Sequence, residues 1–152
     1  MNIRPATQSD EARVLALVPQ LRSFEPATFR SADAMDAGES RTLHRFFAEH
    51  PAGTRLWVAE ANGALIGAAY VETATDYFTA ERHGHLGILV VLKDAQGMGV
   101  GQSLMATVED WARNEGFRFI SLNVFADNAR AISLYEKRAY RPDFVRYVKQ
   151  LR

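Results

Sequence analysis

Hydrophobic residues recur along the chain at two spacings, and the alternation between them lays out a set of helices and strands. Val14, Leu17, Val18 and Leu21 fall at i, i+3, i+4 and i+7, the stripe of a helix that buries one side. Thr7-Gln8-Ser9-Asp10 ahead of them predicts a capping box, and Pro19 predicts a bend or an early end. Leu43, Phe46 and Phe47 mark a second helix that stops before Pro51-Ala52-Gly53. From Arg55 onward RLWVAEANGALIGAAYVE reads as two strands turned by Asn62-Gly63, a dipeptide suited to the left-handed positions of a tight hairpin. HLGILVVLK, rich in β-branched residues, predicts a third strand. Helical spacing returns with Val100, Leu104, Met105, Val108, Trp111 and Ala112, and Gly116 supplies the stop. FISLNVF predicts a further strand, Asp127-Asn128 a capped helix carrying Ala131, Ile132, Leu134 and Tyr135, and DFVRYVKQL a last strand. With a short strand at Asn2 to Pro5, the order βααβββαβαβ describes one α/β domain over residues 1–152 with a mixed sheet.

Composition narrows the function classes. A chain of 152 residues can bury a real core. Its 18 basic and 18 acidic side chains cancel, which argues against a nucleic-acid partner and means that any bound anion is held by local geometry. There is no cysteine, so disulfides, thiolate metal sites and cysteine nucleophiles are all excluded, in keeping with a reducing compartment. The polar start MNIRPATQSDEAR lacks the apolar core of a signal peptide, and no apolar run reaches the roughly 20 residues of a membrane span. The expectation is a cytoplasmic protein without a membrane or metal partner.

The stretch KDAQGMGVGQSLM places Gly97, Gly99 and Gly101 at the mouth of a helix, where each glycine costs roughly 1 kcal/mol relative to alanine. The spacing fits neither a G-x-G-x-x-G dinucleotide loop, because Gln102 stands at the third glycine, nor a P-loop, because no Gly-Lys-Ser/Thr follows. Two readings remain open. The glycines expose unpaired N–H groups to a diphosphate at the positive end of a helix, or they only make a tight strand-to-helix turn.

The second half of the chain resembles the GCN5-related N-acetyltransferase family, GNAT for short. LGILVVLKDAQGMGVGQSLMATVEDWARNEGF carries Gln96-x-x-Gly99-x-Gly101, similar to the family's Arg/Gln-x-x-Gly-x-Gly/Ala loop, and LNVFADNARAISLYEKRAY carries Asn128-x-x-Ala131-x-x-x-Tyr135. The resemblance covers about residues 84 to 150 and implies a GNAT-like acyl-CoA N-acyltransferase fold, a mixed, mostly antiparallel sheet flanked by about four helices. It implies acetyl-CoA as cosubstrate, with Leu89, Val90 and Val91 offering backbone groups to the pantetheine arm. Gln96, Gly97, Met98, Gly99, Val100 and Gly101 would meet the pyrophosphate, Asn128 the cofactor arm, and Tyr135 the sulfur. It also allows a homodimer. Gln96 stands where arginine is common, which keeps a donor and loses a charge. Ala139 replaces the usual glycine after the last helix, at a cost of roughly 1–2 kcal/mol if the position is left-handed.

The chemistry thus implied is direct attack of a primary amine, small-molecule or peptide, on a thioester. An alkyl amine with a pKa near about 10.4 arrives protonated at neutral pH and needs a base. The leaving thiolate, near about 8.5, needs a modest acid. Tyr135 is the candidate acid. His85, four residues before Leu89 and hence on the same face by strand alternation, Glu72 and a tethered water are the candidate bases, with His83 and Glu81 ranked lower. His44 and His50 read as helix-surface residues, and Trp57 and Trp111 as core aromatics. Lys137 and Arg138 are candidates for the cofactor's 3′-phosphate, and Phe24, Phe29, Tyr77 and Phe78 for the border of an acceptor pocket. Another acyl-CoA, a protein amine, or a non-catalytic acyl-CoA-binding domain are the alternatives.

Overall fold

In the computed structural model, residues 1–22, 27 and 29–152 are described. Strand β1 (Asn2–Pro5) leads into helix α1 (Glu11–Leu15), and α2 (Ala32–Glu49) follows. Strands β2 (Arg55–Ala61), β3 (Ala64–Thr75) and β4 (Arg82–Val91) precede α3 (Val100–Asn114), β5 (Ile120–Leu122) and α4 (Ala129–Lys137). The five strands lie in the order β1-β2-β3-β4-β5. The first four are antiparallel, and β5 runs parallel to β4. Among the described residues no helix is long and apolar enough to cross a membrane.

Alternation along the strands feeds two cores, one on each face of the sheet. Val58, Tyr70, Ile88 and Val90 pack with Val14, Leu17, Leu43, Phe46 and Phe47 beneath α1 and α2. Ala59, Ala69, Val71 and Leu86 pack with Leu104, Met105, Val108, Trp111 and Ala112 of α3. Trp111 is buried and meets Trp57 edge to face at 6.2 Å, so both tryptophans belong to the core. Asn62 (φ 50) and Gly63 (φ 76) take the two left-handed positions of the β2–β3 hairpin.

Three sequence expectations are corrected. The stripe from Val14 to Leu21 is not one helix: α1 ends at Leu15, and Val18–Leu21 forms a separate 3₁₀ turn with Pro19 in its first turn, because proline has no N–H to continue the ladder. The strand expected over FISLNVF shrinks to Ile120–Leu122, since Asn123, Val124 and Phe125 turn away from β4. The last strand expected from DFVRYVKQL is absent: residues 141–152 are exposed and lie in no helix or strand. A strand exists only with a ladder partner, and this segment pairs with none in its own sheet. Phe24 lies outside the described residues.

The N-terminal corner is held by charge. Asp10 closes the capping box, accepting from the Thr7 N–H at 2.8 Å, and it is almost fully buried. Arg4 grips it with two bonds of 2.7 and 3.0 Å, and Arg13 adds a third at 2.9 Å. The Arg4 guanidinium, more than the Thr7 bonds, holds the Asp10 carboxyl well below the usual carboxylate range. Replacing Asp10 by Asn should cost about 3 kcal/mol at neutral pH by weakening the buried carboxylate's charge-assisted bonds to half-buried Arg4 and exposed Arg13, both of which keep Glu60. Because the folded-state pKa is depressed, this contribution is present above the unfolded value of about 3.9 and fades as pH falls through the folded one. Urea melts of wild type and Asp10→Asn at pH 7 and below pH 3 check both the size and the convergence.

Candidate functional site

Strands β4 and β5 share only three rungs, Gly84 with Ile120, His85 with Ser121 and Leu86 with Leu122. Beyond them β4 continues to Val91 bonded to β3 alone. The parting starts beside a bulge. The register between β3 and β4 pairs Val71 with Leu86 and Tyr70 with Ile88, leaving Gly87 as the extra residue, and such an insertion bends a strand. A Cβ at Gly87 would stand 3.1 Å from the Tyr70 ring, so glycine fits the bend. The bulge also exchanges faces. Leu86, Leu89 and Val91 pack toward α3, whereas Ile88 and Val90 pack toward α1 and α2.

The gap is a cleft of about 570 Å³. One wall is β4 from Leu86 to Val91, and the other is Asn123, Val124 and Phe125 with the inner side of α4, including Asn128, Arg130 and Tyr135. Gln96, Gly97, Gly99, Val100 and Gly101 line one end, and Met35, Asp36 and Glu39 of α2 reach it as well. The structure therefore brings together every sequence-predicted cofactor residue except Met98, whose side chain is exposed, and Arg138, both of which are outside the lining. Tyr135 is with them. Phe29, Tyr77 and Phe78 are not, and Phe125 lines the cleft instead.

The glycine loop presents bare main chain. Gly97 (φ 82) and Gly99 (φ 78) hold left-handed conformations, and no neighbouring atom lies within 4 Å of the place a Cβ would take on either. Gly99 is the N-cap of α3 without a side-chain capping bond. The N–H groups of Val100, Gly101 and Gln102 precede the first helical bond, from the Ser103 N–H to the Gly99 carbonyl at 3.0 Å. These are the features of an anion cradle at a helix N-terminus. Gln96 donates to the Val91 carbonyl at 3.3 Å, and its side-chain oxygen accepts from Arg130 of α4. Arg130 thus brings a cation to the place where the sequence shows glutamine in the loop. No local motif announced it, because the two residues are 34 positions apart.

Helix α4 positions the remaining groups. The Asn128 Oδ1 accepts from the Ala131 N–H at 3.2 Å and caps the helix at the cleft. Tyr135, two turns on, is half-buried with its ring 6.0 Å from that of Tyr140. Burial pushes its phenol above the usual range, so the hydroxyl keeps its proton at neutral pH. Lys137 lines the cleft, whereas Arg138 is committed to Glu109 by bonds of 2.6 and 2.9 Å. Ala139 is left-handed, with φ 65, and ends the helix as glycine would.

The candidate bases are placed differently. His85 is next to Leu86 in the chain and points away from the α3 face that Leu86 and Leu89 share, so the bulge breaks the alternation that would align His85 with Leu89. The Ser121 Oγ lies 2.9 Å from the His85 Nδ1 and 3.0 Å from the Nε2 of buried His83. Burial pushes the His85 imidazole pKa down, more than the facing Glu72 raises it. Neither His85 nor Glu72 lines the cleft. Glu39 does. Burial, reinforced by Asp36, pushes its carboxyl up. Asp36 is occupied by Arg22 at 2.7 and 2.8 Å, and Glu39 has no ion-pair partner among the described residues. On the sequence Glu39 was one helix carboxylate among several; only the packing of α2 singles it out.

Residues 18–140 match the family model described as "Acetyltransferase (GNAT) family". The chain is 32% identical over 149 residues to the uncharacterized N-acetyltransferase YhfO of Bacillus subtilis, covering 97% of this chain and 95% of that protein. In fold it is similar to a putative acetyl transferase from Pyrococcus furiosus, with a TM-score of 0.78 at 21% identity over 99% of both chains. It is also similar to an aminoglycoside 6′-N-acetyltransferase from Acinetobacter haemolyticus, with a TM-score of 0.74 at 18% identity over 100% of both chains. Substituting Gly99 by Ala forces a Cβ into the left-handed region at about 1–2 kcal/mol and shifts the helix N-terminus. Calorimetric titration with CoA should show affinity at least tenfold lower in Gly99→Ala than in wild type.

Proposed function

This chain belongs to the GNAT acetyltransferase family, and from that premise we propose that it moves the acetyl group of acetyl-CoA to a primary amine by direct attack in a ternary complex. One observation carries the reading: both motifs, Gln96 to Gly101 and Asn128 to Tyr135, line a single cleft opened where β4 leaves β5. The fit to a diphosphate rests on the bare N–H groups at Gly99 to Gln102 and on Arg130, each charge-assisted bond contributing roughly 1.5–3 kcal/mol. The thioester, when bound, supplies an already activated acetyl group, so no covalent enzyme intermediate is needed.

The residues divide the remaining work. Backbone groups of Leu89 to Val91, left without β5, hold the pantetheine arm, and an N–H there steadies the carbonyl oxygen as it gains charge. Glu39, which lines the cleft and has no ion-pair partner among the described residues, attracts the protonated amine and, as the carboxylate, takes its proton, directly or through a water. The C–N bond then forms as the C–S bond breaks. Tyr135 donates a hydrogen bond to the departing sulfur. Its phenol pKa lies above that of a thiol, so net proton transfer from it is uphill, and its contribution is stabilisation of the thiolate as that charge develops.

A panel of amines assayed for CoA release tests the proposal. Release with at least one amine supports it, and binding of acetyl-CoA without release across the panel favours a regulatory domain. Tyr135→Phe should lower kcat by about tenfold or more with CoA affinity nearly unchanged. Glu39→Gln should lower kcat and flatten the acidic limb of the pH–rate profile, whereas His85→Gln should leave that limb in place. Since the folded-state carboxyl of Glu39 is raised, ionising it costs stability as pH climbs through and above the ordinary carboxylate range. Glu39→Gln should therefore melt higher than wild type at pH 8, with the gap closing in acid.

A further inference from the structure

A second hollow, of about 370 Å³, adjoins the cleft and is lined by Arg30, Ala34, Met35, Gly38, Glu39 and Phe125. Met35, Glu39 and Phe125 line the cleft as well, so the two spaces share a wall. Ala34 with Gly38, and Met35 with Glu39, are spaced i, i+4 and form one face of α2. Gly38 keeps that face open. Glycine weakens a helix interior relative to alanine, yet a Cβ here would meet only the Arg41 guanidinium, at 3.6 Å, so close packing does not call for it. A larger side chain would occupy the hollow that Gly38 lines. Arg30 brings a cation to the same space. It is half-buried, its guanidinium carbon 4.4 Å from the ring centre of Phe29 and 5.7 Å from that of Phe125. Neither Arg30 nor Glu39 has an ion-pair partner among the described residues. Arg30 precedes the cap Ser31, and Glu39 lies two turns into the helix, about 12 Å from Ser31 along the axis.

We propose that this hollow receives the far end of the acceptor, and that the acceptor is a primary amine joined through an apolar chain to a carboxylate or phosphate, its ammonium at Glu39 and its anion at Arg30. The inference rests on the acetyl transfer proposed above and adds what the acceptor carries at its other end. The spacing of the two charges along α2 selects a molecule with several bonds between amine and anion. Met35 and Phe125 meet the apolar chain between them. A guanidinium takes the oxygens of a carboxylate or phosphate in pairs, and those bonds are strong where water is partly excluded. A diamine would set a second ammonium against Arg30, which repels it. A plain alkylamine would leave Arg30 without a partner. The transfer balances as a simple acyl exchange: the C–N bond forms, the C–S bond breaks, and of the two protons the ammonium loses, one ends on the CoA sulfur and one in solvent. The anion takes no part in the chemistry and only fixes the acceptor.

The test measures CoA release from acetyl-CoA with matched linear acceptors at several chain lengths: an ω-amino acid, an aminoalkyl phosphate, the alkylamine and the diamine. The full chain should favour the carboxylate or the phosphate over the diamine by about tenfold or more in kcat/KM at its best length, and the two anionic arms show which group Arg30 prefers. Arg30→Gln should bring the ratio of anionic acceptor to diamine close to one, and Arg30→Glu should reverse it. The ratio is taken within one protein, so a partial loss of folded enzyme does not move it. Gly38→Leu should lower kcat/KM for the ω-amino acid while calorimetric CoA affinity is kept, because Gly38 lies outside the cleft lining. Preference for the alkylamine or the diamine leaves acetyl transfer standing and overturns this inference. So does a ratio that Arg30→Glu does not change, or a Gly38→Leu enzyme with full kcat/KM for the ω-amino acid. Silence across every acceptor overturns the transfer reaction itself, and the inference with it.

Discussion

Most of the site follows from the brevity of one strand pair. Strands β4 and β5 are joined by three rungs, and everything that makes a cleft lies just past the last of them. A sheet that stayed zipped would spend the backbone of Leu89 to Val91 on a neighbouring strand. Because the ladder stops, those groups face an opening that a ligand can fill. The bulge at Gly87 is tied to the same event: it bends β4 next to the final rung and moves Leu89 and Val91 to the α3 side. A defect in the sheet and a binding surface are thus one feature.

The electrostatics are correspondingly local. The chain has no net charge, so no broad field draws a polyanion to it. What it has is a helix N-terminus opened by glycines, one arginine delivered from another helix, and a carboxylate at a different part of the cleft with no ion-pair partner among the described residues. The groups proposed to hold an anion and to attract a cation line one cavity on different walls. Short range suits this arrangement, since screening at physiological salt acts over about 8 Å.

Local patterns made much of this legible. The two cores follow from apolar spacing at Val14, Leu17, Leu43, Phe46, Leu104 and Val108. The cleft loop follows from Gln96 to Gly101, and Asn128 declares itself as a cap by residue type. Arg130 and Glu39 stayed hidden because their significance is set by contact between segments far apart in the chain. His85 lies off the Leu89 face for a related reason: alternation assumes an unbroken pleat, and one unpaired glycine inverts every side chain after it. The end of the chain shows the reverse case, where a strand-like pattern is real and the partner is missing from its own sheet.

The opposite end of that sheet is finished. Strand β1 is four residues long, closes on Pro5, and has Arg4 locked to Asp10 and Glu60, so it makes a poor template for another chain. A sheet receptive at both ends would propagate, each copy seeding the next, into a fibre. With one end blocked, each copy offers at most the other edge, so pairing of sheet edges does not run on from copy to copy.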